Sequence, residues 1–186
     1  MQPTFTSLQY LILQWAEDKG IFDHSTPERQ LSKTYSEVTE IHDALVNDDK
    51  HIDDDKDAIG DTVVTLVIQA HMWDLSGVGC YCDAVNSFTA DNYSFVNDKH
   101  KLFNTILHRM EDLHEAILSN NVQSVSMNIG LLLHLLKHYC TYFDFSFVDA
   151  IDHAYHIISK RTGSMIDGLF VKDTAPEGAK IEDHRE

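Results

Sequence analysis

The sequence has 186 residues and is poor in residues that interrupt helices or cross-link chains: it contains only 3 Pro, 8 Gly and 3 Cys. Scarce proline and glycine favour a helical globule over a fibrous or loop-rich protein. The odd number of cysteines, Cys80, Cys82 and Cys140, does not form a disulfide framework. We therefore expect reduced thiols in a reducing compartment.

Positive charge is also scarce, since 14 Lys and Arg stand against 30 Asp and Glu and give a net charge of −16. Such a chain repels nucleic acid and acidic membranes. No apolar run reaches membrane-spanning length, because Gln69 and His71 interrupt the best one. The N-terminus lacks a basic region before its apolar stretch, so no signal peptide is expected. We predict a cytoplasmic protein that binds cations and small metal-bound anions.

Apolar residues at helical spacing predict an all-α fold, with one domain over residues 1–173 and a polar, mobile tail over 174–186. Helices are predicted over residues 4–19, 27–47, 54–73, 100–118, 122–142 and 147–161. Residues 76–98 are turn-rich and polar, and nothing longer than a short helix over 82–86 is expected there.

The second and third predicted helices align with the fourth and fifth as an internal repeat. Core positions are kept and Gly60 falls on Gly130, but the acidic set is lost, since Asp61 falls on Leu131. This pattern predicts a four-helix-bundle core of two helix pairs, the second a degenerate repeat, with additional N- and C-terminal helices. Chance similarity between amphipathic helices is the alternative.

Two acidic motifs lie on the paired helices of the first half. Glu37 and Glu40 are three residues apart, Asp57 and Asp61 are four apart, and either spacing puts both carboxylates on one helix face. Two helices joined by a short loop pack side by side, so the four carboxylates are expected to converge. Clustered carboxylates suit Mg²⁺ or Mn²⁺ and suggest phosphate chemistry. A solvated helix face is the alternative.

Three blocks of the chain resemble the MazG-like branch of the all-α nucleoside triphosphate pyrophosphohydrolases, most closely its small phage and bacterial members. They are residues 30–40, with a Q-L-x-K lead-in before the first acids, residues 57–64, and the ending at residues 154–172. The chain departs from the family pattern at Ser36, which replaces the first glutamate, and at Ala58, where an acid is expected.

The resemblance implies metal-dependent hydrolysis of (deoxy)nucleoside triphosphates to monophosphate and pyrophosphate, for nucleotide-pool control or house-cleaning. It implies a Mg²⁺ cofactor, with Mn²⁺ as a substitute, and a homo-oligomer, a dimer or tetramer. The implied metal ligands are Glu37, Glu40 and Asp61, with Asp57 as a fourth in place of the acid missing at Ala58. Glu40 is the candidate general base.

The other candidate site residues would bind the nucleotide. The lead-in supplies Gln30 and Lys33, and Lys160 and Arg161 are positive charges suited to phosphate oxygens. The alternative for the last two is a helix C-terminus that favours cations. Trp15 is the candidate for stacking on the base, although it also fits an ordinary core stripe. The preferred base stays open.

Two other functions remain open. A degenerate family member that binds nucleotides or regulates a partner is favoured by Ala58, and retained binding without turnover would identify it. A di-iron bundle protein is suggested by the Glu111-x-x-His114 motif, but such bundles need two of these motifs and only one is present. Iron content and visible absorbance would identify it.

Overall fold

The computed structural model describes residues 2–47, 52–87 and 98–173, and it confirms the predicted all-α fold with a helical-bundle core. The elements are α1 (Phe5–Asp18), α2 (Ile21–His24), α3 (Pro27–Val46), α4 (Ile52–His71), α5 (Gly77–Ser87), α6 (Lys99–Leu118), α7 (Val122–Tyr139), a 3₁₀ turn (Cys140–Tyr142), α8 (Phe147–Ile158), β1 (Gly163–Ile166) and β2 (Leu169–Lys172). No helix in these ranges is long and apolar enough to cross a membrane. The predicted tail over 174–186 lies outside the described residues.

Local sequence signals set most helix ends. The hydroxyls of Thr4, Thr26 and Ser146 accept backbone N–H groups at the starts of α1, α3 and α8. Gly20 follows α1 with φ of 71°, and Asn120 separates α6 from α7 with φ of 50°. These left-handed positions stop a helix, so the predicted boundaries after α1 and α6 match the structure to within about two residues.

The bundle consists of two similar halves. In the first, α4 packs between α3 and α8; in the second, α7 packs between α6 and α5. The aligned glycines lie at equivalent contacts: a Cβ on Gly60 would overlap the carbonyl oxygen of Ala150, and one on Gly130 would overlap that of Cys80. Helix α1 lies against α4, α5 and α8.

The structure corrects the expectation for residues 76–98. Helix α5 covers Gly77–Ser87 and is longer than the short helix predicted over 82–86. Its buried Cys80 and Ala84 contact Gly130 of α7, so tertiary packing overrides the turn-rich composition. Residues 88–97 lie outside the described part of the chain.

The C-terminal region also differs from expectation. Helix α8 ends at Ile158 and not at Arg161, and an unpredicted antiparallel hairpin of β1 and β2 follows. Its turn is Asp167-Gly168, with φ of 48° and 81°. Positive φ at both central residues is the geometry of a type I′ turn, and the Asp-Gly pair is a strong sequence signal for it.

Candidate active site

A cavity of about 560 Å³ lies between α1, α3, α4, the end of α8 and β2, and we call it the acidic cavity. The residues that line it are Trp15, Ile21, Gln30, Ser32, Lys33, Ser36, Glu37, Glu40, Asp57, Asp61, Val64, Thr65, Ile68, Ile158, Arg161, Leu169, Phe170, Val171 and Lys172. Every candidate site residue from the sequence is in this lining except Lys160, which is exposed after the end of α8.

Two of the four candidate carboxylates that line the cavity are buried. Glu37 of α3 is 2% exposed and Asp61 of α4 is 7% exposed, whereas Asp57 is half-buried and Glu40 is exposed. The pKa of Asp61 is raised to about 6, with burial as the largest cause. The positive charge of Arg161 opposes this rise, and the nearby charges of Glu37 and Asp57 add to it.

Each buried carboxylate contacts a cation from a different part of the chain. Lys33 Nζ pairs with Glu37 Oε1 one turn further along α3. Arg161 lies between α8 and β1, and its Nη2 donates to Asp61 Oδ2 over 3.3 Å. Lys172 of β2 adds a third, exposed cation to the lining. The cavity thus places cations beside the carboxylates, as binding of a metal–phosphate complex requires.

Two carboxylate oxygens of the lining lack hydrogen-bond partners. Asp57 Oδ1 and Asp61 Oδ1 are both buried, and the ring nitrogen Nε2 of His153 lies 3.8 Å from Asp57 Oδ1. An unsatisfied buried oxygen costs about 1–3 kcal/mol, and more if charged, so a bound cation would relieve this penalty. Carboxylate oxygens are the ligands that Mg²⁺ takes, and the donor set fits this ion.

The same residues are not assembled into a finished metal site. In the described ranges no three His, Cys, Asp or Glu side chains form a group that could hold a metal ion. Lys33 pairs with one oxygen of Glu37, and Arg161 pairs with one oxygen of Asp61. A metal ion bound at these carboxylates would therefore lie beside two cations.

The lining of the acidic cavity also includes aromatic and apolar side chains. Trp15 of α1 and Phe170 of β2 form an edge-to-face pair with ring centroids 5.6 Å apart, and Lys19 Nζ lies 5.8 Å from the Phe170 centroid. Trp15 is half-buried and packs on the core, and it also lines the cavity. Stacking of Trp15 on a base stays a prediction. Its indole Nε1 is a buried donor without an acceptor.

Sequence reasoning did not single out Phe170, Lys172 or His153. The first two lie on the hairpin, and the Asp167-Gly168 turn between alternating residues was the signal that could have placed them on a strand. His153 reaches Asp57 only because α8 packs across α4. No local pattern carries that information.

The di-iron alternative finds no support at its motif. Glu111 and His114 are both exposed on α6, where His108 and Tyr35 are their neighbours. Neither belongs to a metal-holding group within the described part of the chain.

No family model, curated protein or solved structure matches the chain. Function is therefore inferred from the residues and geometry of the acidic cavity, and the resemblance of the three sequence blocks stays a prediction.

Proposed function

We propose that the chain is a Mg²⁺-dependent nucleoside triphosphate pyrophosphohydrolase that cleaves the α–β phosphoanhydride and releases a monophosphate and pyrophosphate. The observation that carries this proposal is one cavity lined by buried carboxylates, by cations and by aromatic and apolar side chains. The charged residues match a metal-bound triphosphate, and the aromatic and apolar residues match a nucleobase. The three blocks that resemble the MazG-like family agree with it.

The proposed role of each charged residue follows from the sign of its charge. Glu37, Asp57 and Asp61 would hold the metal, and Lys33, Arg161 and Lys172 would bind phosphate oxygens. When bound, Mg²⁺ neutralises phosphate charge and lowers the pKa of a coordinated water. Gln30 and Trp15 would contact the nucleoside. Phe170, which packs against Trp15, would line the same apolar part of the cavity.

Glu40 is the proposed general base. It lines the cavity three residues after Glu37, and it is the most exposed of the four candidate carboxylates. Glu40 would accept a proton from the attacking water. The water oxygen bonds to one phosphorus of the α–β linkage, and that phosphorus loses its bond to the bridging oxygen. The bridging oxygen leaves with the other phosphorus, so that a monophosphate and pyrophosphate form.

A panel of NTPs and dNTPs with Mg²⁺ or Mn²⁺, scored for monophosphate and pyrophosphate, tests the proposal. We expect pyrophosphate from at least one substrate, and loss of turnover in Glu37→Gln, Glu40→Gln and Asp61→Asn with an unchanged circular dichroism spectrum. Ser36→Ala is the matched control in the same lining and should be mild, because a hydroxyl is a poor Mg²⁺ ligand beside carboxylates. Release of orthophosphate alone from every substrate would refute the assignment.

A second candidate function is nucleotide binding without turnover. It is favoured by Ala58, which is 2% exposed and leaves no acid at that position, and by the cations that already pair with Glu37 and Asp61. Metal-dependent binding of a triphosphate with no product over long incubation would select it.

We also propose a cytoplasmic homo-oligomer, a dimer or tetramer, that binds neither nucleic acid nor membranes. The three free thiols agree with a reducing compartment and the net charge of −16 disfavours polyanions. Lys160, which lies outside the cavity of its own chain, would then be available to the site of a neighbouring chain. Sedimentation at micromolar concentration should show a species larger than 21.2 kDa. A fully active species of single-chain mass would refute the assembly.

A further inference from the structure

We propose that the acidic cavity takes a divalent cation only as a complex with a polyphosphate, because Lys33 and Arg161 occupy the metal-binding carboxylates until phosphate oxygens draw them away. This inference rests on the proposed function and specifies its ligand: the metal–polyphosphate complex, and not the free ion followed by a free nucleotide.

The first support is that both buried carboxylates are paired in the same way. Glu37 and Asp61 lie on neighbouring helices, and each gives one oxygen to a cation that also lines the cavity. Asp61 Oδ1 stays buried and without a partner. The pairs therefore neutralise the carboxylates only in part and leave an oxygen for a stronger cation.

The second support is the difference in exposure between the partners. The side chains of Glu37 and Asp61 are 3% and 10% exposed, while those of Lys33 and Arg161 are 42% and 27% exposed. The acids are held by packed helices, whereas the cations have long side chains that reach solvent, and Arg161 lies in a connecting segment. The cations are thus the partners that can move.

Charge balance then favours the complex over either component. A free divalent ion that bridges Glu37 and Asp61 is repelled by the cations that pair with them, Lys33 and Arg161. A free triphosphate is repelled by the carboxylates of Glu37, Asp57 and Asp61. A metal-bound triphosphate gives the carboxylates a metal and the displaced cations a phosphate. Metal and phosphate binding are therefore coupled, and each raises the affinity for the other by the same factor.

Lys33→Met and Arg161→Met test the coupling through effects of opposite sign. Free Mn²⁺ is followed by its electron paramagnetic resonance signal at pH 8, without nucleotide and then with an α,β-methylene nucleoside triphosphate that cannot be hydrolysed. We expect each variant to bind Mn²⁺ alone more tightly than the wild type by about tenfold, and the Mn²⁺–nucleotide complex more weakly by about tenfold. Lys33→Arg, which keeps a positive charge at this position, should lie closer to the wild type than Lys33→Met in both affinities.

Lys101→Met removes an exposed positive charge from α6 and is the control for net charge; it should change neither affinity. Equal or weaker binding of Mn²⁺ alone by both Met variants would overturn this inference, even if the wild type releases pyrophosphate. Absence of any Mn²⁺ binding by the wild type, with or without nucleotide, would overturn the inference and the proposed metal-dependent function together. Thermal unfolding of each variant confirms that a folded protein is compared.

Discussion

At the scale of the residue, Asp61 is the centre of the site. It is buried, it lies near Glu37 and Asp57, and its one ion-pair partner in the described residues is Arg161. Desolvation and like charges both disfavour the carboxylate form. Ionised Asp61, a proposed metal ligand, therefore destabilises the folded state when no metal ion is bound.

The destabilising effect of ionised Asp61 should be visible in the pH dependence of the free energy of unfolding. The pKa of Asp61 is about 6 in the folded state against an ordinary 3.8, so the folded chain retains the proton more strongly. The contribution of protonated Asp61 to the free energy of unfolding is fully present below about pH 4 and is lost as the pH rises through about 6. Between those values we expect the free energy of unfolding of the wild type to fall relative to Asp61→Asn by on the order of 3 kcal/mol.

Urea denaturation without divalent cations at several pH values measures that difference. The exposed Asp83 of α5 supplies the control Asp83→Asn, which should follow the wild type. Parallel pH profiles for the wild type and Asp61→Asn would show that Asp61 is not perturbed.

Asp57 is the residue that would replace the acid missing at Ala58. Its Oδ1 is buried without a hydrogen bond. If this oxygen binds the proposed metal, Asp57→Asn should raise the metal concentration for half activity by about tenfold, about 1.4 kcal/mol. Asp53→Asn, in the exposed first turn of α4, is the control for a simple helix-dipole effect. Equal responses of the two variants would leave Asp57 without a metal role.

At the scale of the element, the contact between α4 and α8 positions Arg161. This contact is close because Gly60 has no side chain where Ala150 and Ala154 of α8 pack against it. The hairpin that follows α8 then brings Phe170 and Lys172 into the cavity lining. The contact at Gly60 therefore influences the positions of Arg161, Phe170 and Lys172.

Gly60→Ala should therefore separate α8 from α4 and destabilise the fold by about 1–3 kcal/mol or more, the usual cost of overpacking. Gly130→Ala makes the equivalent overlap with Cys80 in the other half and should cost a similar amount. Only Gly60→Ala should also raise KM, since α8 leads to Arg161. Gly79→Ala, whose Cβ would lie 3.4 Å from Ser76 Cβ, is the tolerated control.

Urea denaturation and steady-state kinetics on the folded variants distinguish these effects. A rise in KM of the same size in Gly60→Ala and Gly130→Ala would show that the α4–α8 contact does not position the site.

At the scale of the whole molecule, negative charge dominates. The net charge of −16 makes the folded chain repel itself, and the pairs Lys33–Glu37 and Arg161–Asp61 neutralise only two of many acids. Screening of the remaining repulsion should favour the folded state.

We expect the midpoint of thermal unfolding to rise when NaCl is increased from about 20 mM to about 500 mM, where the Debye length is only a few ångströms. Each kcal/mol gained in the free energy of unfolding should raise the midpoint by about 2–4 °C for a chain of this size. Differential scanning calorimetry measures the shift, with sucrose at matched osmolality as the control for solute exclusion. A midpoint that falls with salt would show that attractive ion pairs outweigh the repulsion.

The sequence alone determined the features that depend on neighbours along the chain. Helical periodicity and caps predicted α1, α3, α4, α6 and α7, because each is set within a few residues. The spacing of Lys33 and Glu37 is also local, since residues four apart share a helix face. The Asp167-Gly168 turn carried an equally local signal for a hairpin. Sequence reasoning did not use this signal.

Only the tertiary structure decided what depends on distant parts of the chain. Arg161 and Asp61 are 100 residues apart, and Trp15 meets Phe170 from the other end of the sequence. Helix α5 forms against Gly130, although its own composition favours turns. Burial follows from these contacts, and burial sets the pKa of Asp61 and leaves its Oδ1 unpartnered. The sequence could name the acids, but packing decided which of them are buried, paired and available to a metal.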